Sequence, residues 1–308
     1  MSEKMNPWKS ISWEKISNSI ISTSEFNCFK SELKVAVFCG YVRDKNEFNY
    51  HDKIYEWLRK NGYYVILVMP RNEMLTESDL RKACDVFIER ENFGYDFGSY
   101  ACGLQYVNSI NYFERIDRLL FVNDSFIGPF GYCNLIDDSS EFWGNTDSNQ
   151  GSYHYQSYLF GFNIEKIDLG IINDFFFSRG DLYTDSKSLV IKNFELSLYE
   201  YFYSKGLRCS VLYPMESLKK EFLKQILKFI LYPRLIFRTF FYLSVLTRDV
   251  NPTHQLWLQL FDRGFPFIKK ELLRDNPTGY PGLSFKVEEV MTRNDCSEEF
   301  RRIFKSHL

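Results

Sequence analysis

Short apolar runs of β-forming residues alternate with helical segments along the first 125 residues, and this alternation restricts the fold more than any other feature. The apolar runs are LKVAVFCGY (33–41), YYVILVMP (63–70), DVFIE (85–89) and RIDRLLFVND (115–124). The helical segments between them are HDKIYEWLRKNG (51–62), TESDLRKAC (76–84) and GSYACGLQYVNSI (98–110). Strands that alternate with helices of this length predict an α/β fold with a Rossmann-type, mostly parallel sheet flanked by helices.

Two polar clusters follow strands of this predicted sheet, at the end where doubly wound proteins bind ligands. The first, RENFGYDFGSYACGL (90–104), lies between the third strand and a helix. Gly94 would let the backbone approach a ligand closely, and the N–H groups near it and near Gly98, together with the helix N-terminus, favour an anion such as a diphosphate. Asn92 and Asp96 would bond to hydroxyl groups of a sugar or ribose. The stretch is not a GxGxxG fingerprint, which argues against a nicotinamide cofactor.

The second cluster, VNDS (122–125), follows the fourth strand directly. An unpaired carboxylate is costly to bury, so Asp124 is expected at the open rim of the sheet, next to Asn123. There its oxygens could bind Mg²⁺ or Mn²⁺ that bridges a nucleotide diphosphate. The other interpretation is a turn aspartate that caps the next segment. We expect Asp96 and Asp124, on the rims of neighbouring strands, to meet at one cleft that holds the diphosphate.

Residues 219–248 interleave basic and apolar side chains, with seven Lys or Arg and a single Glu. The longest stretch without a charge is too short to cross a bilayer, which takes about 20 residues. One interpretation is an amphipathic element at an anionic membrane surface. The other is a pair of core helices with a basic outer face.

Composition narrows the function further. The net charge of −2 argues against a general nucleic-acid binder. The seven cysteines are an odd number without CxxC spacing, which indicates a reducing compartment. The first residues carry charges and Trp instead of an apolar signal core, so a cytoplasmic location is expected.

Long strings of the chain resemble the rhamnan synthesis protein F family of bacterial polysaccharide glycosyltransferases. They are RENFGYDFGSYACGL, DRLLFVNDSFIGPF, EFWGNTDS, HYQSYLFGF and NPTHQLWLQLFDRGFPFIKKELLRDNP, within residues 34–277. The resemblance implies a GT-A-like enzyme that transfers rhamnose or a related hexose, with inversion, in the assembly of a cell-surface polysaccharide such as O-antigen, capsule or rhamnan. Its partners would be a nucleotide-sugar donor and a lipid-linked or oligosaccharide acceptor. On this basis we divide the chain into an N-terminal extension (1–30), a catalytic domain (31–214) and a helical region (215–308).

The same resemblance implies roles for individual residues. Asn123, Asp124 and Ser125 occupy the place of the metal-binding DxD motif but supply one carboxylate, which leaves metal dependence open. Glu195 occupies the place of the catalytic base, which must take a proton from the acceptor hydroxyl. Alternatively, Glu195 only stabilises the first turn of its helix through the macrodipole.

Further roles follow for residues around the donor. Tyr41 and Asn92 would flank the nucleotide, and His254 would bind the metal or diphosphate. The remaining candidates would contact donor sugar or acceptor: Trp143, His154 and Gln156. Trp143 is equally suited to core packing.

Two other functions are compatible with the sequence. A glycan-binding or scaffold protein could keep the fold and lack the chemistry, as the single carboxylate at the DxD position allows. A sugar-nucleotide dehydrogenase or epimerase is the second, and the missing glycine fingerprint after the first strand argues against it.

Overall fold

The structure is a computed structural model that describes residues 11–27, 34–42, 48, 51–109, 116–130, 137, 139–179, 182–230, 249–280 and 282–293. Within these residues the chain forms two compact units. The first comprises residues 1–124, 136–144 and 157–210, and the second comprises 125–135, 145–156 and 211–308.

The strands are β1 Ile20–Glu25, β2 Lys34–Cys39, β3 Tyr64–Pro70, β4 Val86–Arg90, β5 Arg118–Asn123, β6 Phe126–Ile127, β7 Phe142–Ser148, β8 His154–Tyr155, β9 Leu159–Asn163, β10 Cys209–Tyr213 and β11 Ile268–Lys269. The helices are α1 Ile11–Ser19, α2 Asp52–Lys60, α3 Glu77–Ala83, α4 Tyr95–Ser109, α5 Leu169–Phe177, α6 Lys187–Val190, α7 Leu198–Ser204, α8 Met215–Ile230, α9 Pro252–Gln255, α10 Trp257–Asp262, α11 Lys270–Asp275 and α12 Leu283–Arg293. A 3₁₀ turn covers Ile164–Lys166, and a π-helical turn covers Ile191–Glu195.

The main sheet has the order β1-β4-β3-β2-β5-β9-β7-β10, and β8 pairs with β7. Four adjacent strands, β4, β3, β2 and β5, run parallel, whereas β1, β9 and β7 pair antiparallel with their neighbours. Strands β2, β3 and β5 are almost wholly buried, as expected for parallel strands covered on both faces. The predicted α/β class is therefore confirmed, as are the four strands and three helices expected before residue 125.

Helix α4 lies against the centre of the parallel sheet, in contact with β2, β3 and β4. Close approach is possible because Gly103 faces β2, where a Cβ atom at this position would meet Cγ1 of Val37 at 2.3 Å. The helix is otherwise buried along most of its length. Its N-terminus is thereby held at the carboxyl ends of the strands.

Aromatic rings form much of the core of the first unit. Phe121 stacks on Phe160 with ring centroids 5.0 Å apart, and Phe142 stacks on Phe162 at 4.9 Å. Offset and edge-to-face packing of this kind adds about 0.5–1.5 kcal/mol per pair beyond area burial. Much of the aromatic content of the chain therefore lies in the core of this unit.

The segment that we assigned to an N-terminal extension contains sheet and helix. Strand β1 pairs antiparallel with β4, from Ile20↔Arg90 to Glu25↔Val86. Helix α1 packs on α4, where Gln105 Nε2 donates to the carbonyl of Trp13 at 2.9 Å. Residues 11–25 therefore extend the sheet of the first unit beyond the predicted boundary at residue 30.

The second unit contains a small sheet and several helices. Strand β11 pairs with β6, and β8 pairs with the end of β7. Its buried polar side chains are linked in a chain: Thr146 donates to Gln156 Oε1 at 2.6 Å, and Gln156 Nε2 donates to Asn251 Oδ1 at 2.9 Å. This network ties the strands to the start of α9, which Asn251 caps.

The basic segment 219–248 begins within α8, and residues 231–248 lie outside the described residues. Across the described part of the chain, every helix is too short or too polar to span a bilayer.

The close contact of α4 with β2 generates a stability prediction. Gly→Ala in an exposed helix stabilises by roughly 0.5–1 kcal/mol, but Gly103→Ala should destabilise by about 1–3 kcal/mol because its Cβ would overlap Val37. Urea unfolding measures the difference. Gly206→Ala is the control: this position has φ of +85° and open space around it, so only backbone strain applies. A Gly103→Ala protein as stable as the wild type would show that α4 is not packed in this way.

Candidate functional site

A cavity of about 290 Å³ opens at the carboxyl ends of the parallel strands in the first unit. It is formed where β2, β3 and β4 end and α4 begins, and its lining includes Cys39, Tyr41, Arg90, Asn92, Tyr95 and Asp96. Three of the predicted donor-site residues, Tyr41, Asn92 and Asp96, therefore line one cavity. This is the position at which open α/β sheets bind ligands.

Arg90, the last residue of β4, organises this end of the sheet. Its side chain is 2% exposed. Nε donates to Ser99 Oγ at 2.9 Å, Nη1 donates to the carbonyls of Glu91 and Phe93 at 2.7 Å each, and Nη2 donates to the carbonyl of Tyr95 at 2.8 Å. Burial lowers the pKa of Arg90, although the guanidinium remains charged. The loop 91–95 is thus wrapped around a buried cation.

The glycines of this loop serve packing. Gly94 has φ of +60°, its N–H donates to the carbonyl of Thr184 at 2.9 Å, and a Cβ atom there would meet the carbonyl oxygen of Leu182 at 2.5 Å. The N–H of Gly98 donates to the carbonyl of Gly94 at 2.9 Å. Both N–H groups are used within the protein, so a diphosphate bound near this loop would have to bond to other N–H groups nearby. Close approach of the segment 182–184, and not of a ligand, requires Gly94.

Asp96 and Asp124 belong to one hydrogen-bonded cluster. Asn123 Nδ2 donates to Asp96 Oδ2 at 2.6 Å, and the N–H of Tyr41 donates to Asp124 Oδ2 at 2.9 Å. We had expected strands β4 and β5 to be neighbours in the sheet, but β3 and β2 lie between them. The cluster forms because α4 crosses back over β2, whose Cys39 pairs in register with Asn123.

Two further side chains complete this cluster. Cys39 Sγ donates to Asp96 Oδ1 at 3.4 Å, and burial, reinforced by Asp96 and Asp124, raises the pKa of the thiol well above its usual value. The thiol therefore stays protonated and acts as a donor. The fully buried His51 places Nε2 at 3.5 Å from Asp124 Oδ2. The carboxylates are thus surrounded by neutral donors and one histidine.

Glu195, the predicted base, ends the π-helical turn Ile191–Glu195. Its half-buried side chain makes no hydrogen bond or ion pair with any residue that the structure describes. Burial raises the pKa of Tyr100 well above its usual value, and Asp96, Cys39, Asp124 and Glu195 raise it further. Glu195 therefore lies within electrostatic range of the same tyrosine as the Asp96 and Asp124 carboxylates. Single π-turns of this kind occur frequently at functional sites.

The cluster suits a metal site in which the protein supplies one or two carboxylates and the ligand and water supply the other contacts. No group of three or more His, Cys, Asp or Glu side chains gathers around a common point within the described ranges. Mg²⁺ is commonly held by one or two carboxylates, with phosphate oxygens and waters as its other ligands. Asp124, whose side chain is 15% exposed at the end of β5, fits such a site.

His254 lies in the second unit, in α9. Its Nε2 is 3.2 Å from Glu271 Oε2, and Lys269 Nζ is 3.4 Å from the same oxygen. Burial, followed by the charge of Lys269, lowers the pKa of His254 to about 4 despite the nearby carboxylate. The imidazole is therefore neutral at pH 7. With Nε2 facing Glu271, only Nδ1 is left for the predicted metal role.

The predicted sugar-contacting residues are buried. Trp143 is 2% exposed, and its indole covers Gly161, where a Cβ atom would meet Cζ2 at 2.5 Å. Its ring is thus a core ring in the first unit. Gln156 takes part in the polar chain of the second unit. His154 is 6% exposed, and its Nδ1 donates to the carbonyl of Ser152 at 2.8 Å.

Sequence patterns missed four residues of the site: Cys39, His51, Arg90 and Tyr95. The sequence contains a feature that could have identified Arg90: a charged residue that ends an apolar strand just before a glycine-rich loop requires hydrogen-bond acceptors nearby. No sequence pattern could have identified His51, since its contact with Asp124 joins positions 73 residues apart.

The fold is α/β, and its cavity lies at the carboxyl ends of parallel strands, the place where open sheets of this class bind ligands. The chain belongs to the rhamnan synthesis protein F family, described as "Rhamnan synthesis protein F", whose match covers residues 67–241. That range includes Arg90, the cluster of Asp96, Asn123 and Asp124, and Glu195.

Curated relatives match the chain over different lengths. "Virulence protein VirA" of Vibrio anguillarum (strain ATCC 68554 / 775) is 75% identical over 300 residues, which covers 97% of this chain and 99% of the relative. The "Uncharacterized protein y4gN" of Sinorhizobium fredii (strain NBRC 101917 / NGR234) is 30% identical over 177 residues, which covers 54% of this chain and 45% of that protein.

Solved structures show a more distant similarity. A putative nucleotide-diphospho-sugar transferase from Desulfovibrio desulfuricans G20 has a TM-score of 0.38 at 12% identity, covering 60% of this chain and 80% of that one. A glycosyltransferase involved in glycosylation of the major capsid of PBCV-1 has a TM-score of 0.35 at 14% identity, covering 58% and 81%.

The environment of Arg90 generates a prediction for the loop. Arg90→Lys should lower the free energy of unfolding by at least about 2 kcal/mol, because an ammonium group cannot reproduce the planar fork that satisfies three carbonyls and a hydroxyl. Thermal or urea unfolding measures the loss. Arg71→Lys is the matched control, since Arg71 is 66% exposed and, among the described residues, forms its ion pair with the exposed Glu73. Equal stability of the two variants would contradict the role assigned to Arg90.

Proposed function

We propose that the protein is a glycosyltransferase of polysaccharide assembly. It transfers a sugar, rhamnose or a related hexose, from a nucleotide-sugar donor to an oligosaccharide or lipid-linked acceptor of a surface glycan such as O-antigen or capsule. The observation that carries the proposal is the cluster of Asp96, Asn123 and Asp124 beside the cavity, in a chain of the rhamnan synthesis protein F family. Its expected architecture is that of GT-A enzymes.

The nucleotide of the donor would occupy the cavity, flanked by Tyr41 and Asn92. The diphosphate would then lie towards Asp124, because Asp124 holds the backbone of Tyr41 at the cavity rim. A carboxylate facing a diphosphate is repulsive without a cation. Mg²⁺ or Mn²⁺ held by Asp124 would supply charge neutralisation for the leaving diphosphate when bound.

The N-terminus of α4 also favours an anionic leaving group. Its first N–H groups lack intrahelical acceptors and carry the positive end of the helix dipole. These groups take the place of the N–H groups of Gly94 and Gly98. Arg90 offers a further donor at the cavity: four of its five N–H donors make the bonds described above, and the remaining one, on Nη2, is unused among the described residues.

Glu195 would act as general base. The acceptor hydroxyl gives its proton to the Glu195 carboxylate while its oxygen attacks the anomeric carbon, and the bond from that carbon to the diphosphate oxygen breaks. A single displacement of this kind inverts the anomeric centre. Support comes from the absence of a partner for Glu195 among the described residues and from its place at a π-helical turn.

A glycan-binding protein without catalysis is the second candidate. The observation that favours it is the single carboxylate at Asp124, since many metal-dependent sites present two. Hydrolysis of the donor by purified protein separates the two functions, because a binding protein would leave the donor intact.

The location proposed for the enzyme is the cytoplasm, at the inner face of the membrane. Support comes from the basic and apolar residues of 219–248, of which Lys219, Lys220 and Lys224 lie on the described part of α8. Acceptors attached to lipid would be presented at that surface.

The catalytic assignment predicts the effect of two substitutions. Glu195→Gln should lower the turnover rate by about 10²–10⁴-fold with little change in donor affinity, because only the proton acceptor is lost. Asp124→Asn should weaken donor binding and turnover together. Thermal-shift screening of UDP-, dTDP- and GDP-sugars with and without Mn²⁺ first identifies the donor, since a ligand of the native state raises the apparent stability.

Two acidic residues provide matched controls. Glu200→Gln changes an exposed carboxylate on α7, five residues after Glu195. Asp117→Asn changes a carboxylate at the opposite end of β5 from Asp124, directly before the first residue of that strand. Both should retain wild-type turnover. Near-normal turnover of both Glu195→Gln and Asp124→Asn would defeat the assignment.

A further inference from the structure

Tyr95 adopts a backbone conformation that is costly for its residue type. Its φ is +50°, in the left-handed region, where bulky side chains are rarely found. Gly94 before it also has positive φ, so two consecutive residues are left-handed at the start of α4. Strained residues of this kind persist only where the surroundings impose them, and they concentrate at ligand sites.

The surroundings impose this conformation from two sides. Arg90 Nη2 donates to the carbonyl of Tyr95, and the N–H of Gly94 donates to the carbonyl of Thr184. The tip of the ring is fixed as well, because the Tyr95 hydroxyl donates to the carbonyl of Asp185 at 3.0 Å. Backbone and ring are thus both held in place.

This arrangement stabilises the fold little. Tyr95 is 44% exposed, so its ring buries only part of its apolar area, and a glycine would adopt the same backbone without strain. A costly conformation that presents a fixed, exposed ring therefore calls for a contact with another molecule.

Tyr95 is one of the residues that line the cavity. Tyr41, which is 53% exposed, lines the same cavity from the end of β2. Two other lining residues carry polar groups: Arg90, whose second Nη2 hydrogen has no acceptor among the described residues, and Asp96, whose carboxylate oxygens are acceptors. Exposed aromatic faces beside paired donor and acceptor groups match a nucleobase, which presents a flat π-face and a polar edge. A sugar ring has hydroxyl donors and acceptors at its edge but no flat π-face.

We propose that Tyr95 is the stacking surface for the nucleobase of the donor, and that the strained backbone holds the ring in its stacking position. This inference rests on the proposed function, because it places the nucleotide of the donor in the cavity. It assigns to Tyr95 a role in recognition of the base that is separate from recognition of the diphosphate near Asp124.

Isothermal titration of the full chain with UDP, dTDP, GDP, CDP, ADP and pyrophosphate, each in the presence of Mn²⁺, tests the inference. Tyr95→Gly should weaken binding of the preferred nucleoside diphosphate by about five- to a hundredfold, the range that stacking on an aromatic ring provides. Affinity for pyrophosphate should stay within about twofold. The melting temperature should be equal to or above that of the wild type, because glycine removes the strain. Tyr95→Phe should keep the wild-type affinity.

Two more variants serve as checks. Tyr203→Ala removes a ring that is 61% exposed outside the cavity, and it should bind nucleotides like the wild type. Tyr95→Asn removes the ring while keeping a residue that tolerates the left-handed region, and it should lose nucleotide affinity like Tyr95→Gly.

The outcomes separate this inference from the proposed function. A wild-type protein that binds none of the nucleoside diphosphates would defeat the proposed function itself. Wild-type binding that is unchanged in both Tyr95→Gly and Tyr95→Asn would leave the proposed function in place and overturn the stacking role. Equal losses for nucleotide and pyrophosphate would also overturn it, as would a lower melting temperature of Tyr95→Gly, which would show that the ring stabilises the fold.

Discussion

The geometry of the cavity depends on one buried cation. A guanidinium taken out of water costs several kcal/mol unless its donors are satisfied, and Arg90 satisfies four of them on Ser99 and on the carbonyls of residues 91, 93 and 95. The loop therefore has little freedom to collapse into the space at the end of β4. Because three of the acceptors are backbone carbonyls, the arrangement constrains the chain path itself and not only side chains. The left-handed pair at residues 94 and 95 follows from this constraint.

Charges of both signs lie at the cavity. Arg90 and Asp96 line it, and the carboxylates of Asp96 and Asp124 are held by Asn123, Cys39 and the N–H of Tyr41, all of them neutral donors. Neutral donors stabilise a carboxylate without cancelling its charge, so the Asp124 end of the cluster stays electronegative. An anionic diphosphate would be accepted there only together with a cation, whereas the Arg90 end accepts polar uncharged groups directly. This difference is the reason for the proposed orientation of the donor, with its base towards Arg90 and its phosphates towards Asp124.

Sequence patterns were sufficient for the parallel sheet, because strands buried on both faces must be continuous apolar runs such as LKVAVFC and LLFV. They also identified Asp96 and Asp124, since polar residues that directly follow such runs lie at the rim where ligands bind. The order of the strands was not accessible: the two carboxylates meet although β3 and β2 lie between their strands. The role of Gly94 was assigned to a ligand because the segment 182–184, which approaches it, is about 90 residues away in the chain. Of the two interpretations of Trp143 the structure shows core packing, because its ring covers Gly161 on another strand.

A crystal structure of the protein soaked with its preferred nucleoside diphosphate and Mn²⁺ would test the central claim most directly. The account predicts density for the base within the cavity bounded by residues 39–41 and 90–99, with the phosphates and an anomalous Mn²⁺ signal at Asp124. Nucleotide bound elsewhere on the chain, with the cavity empty and the Arg90 loop unchanged, would contradict it.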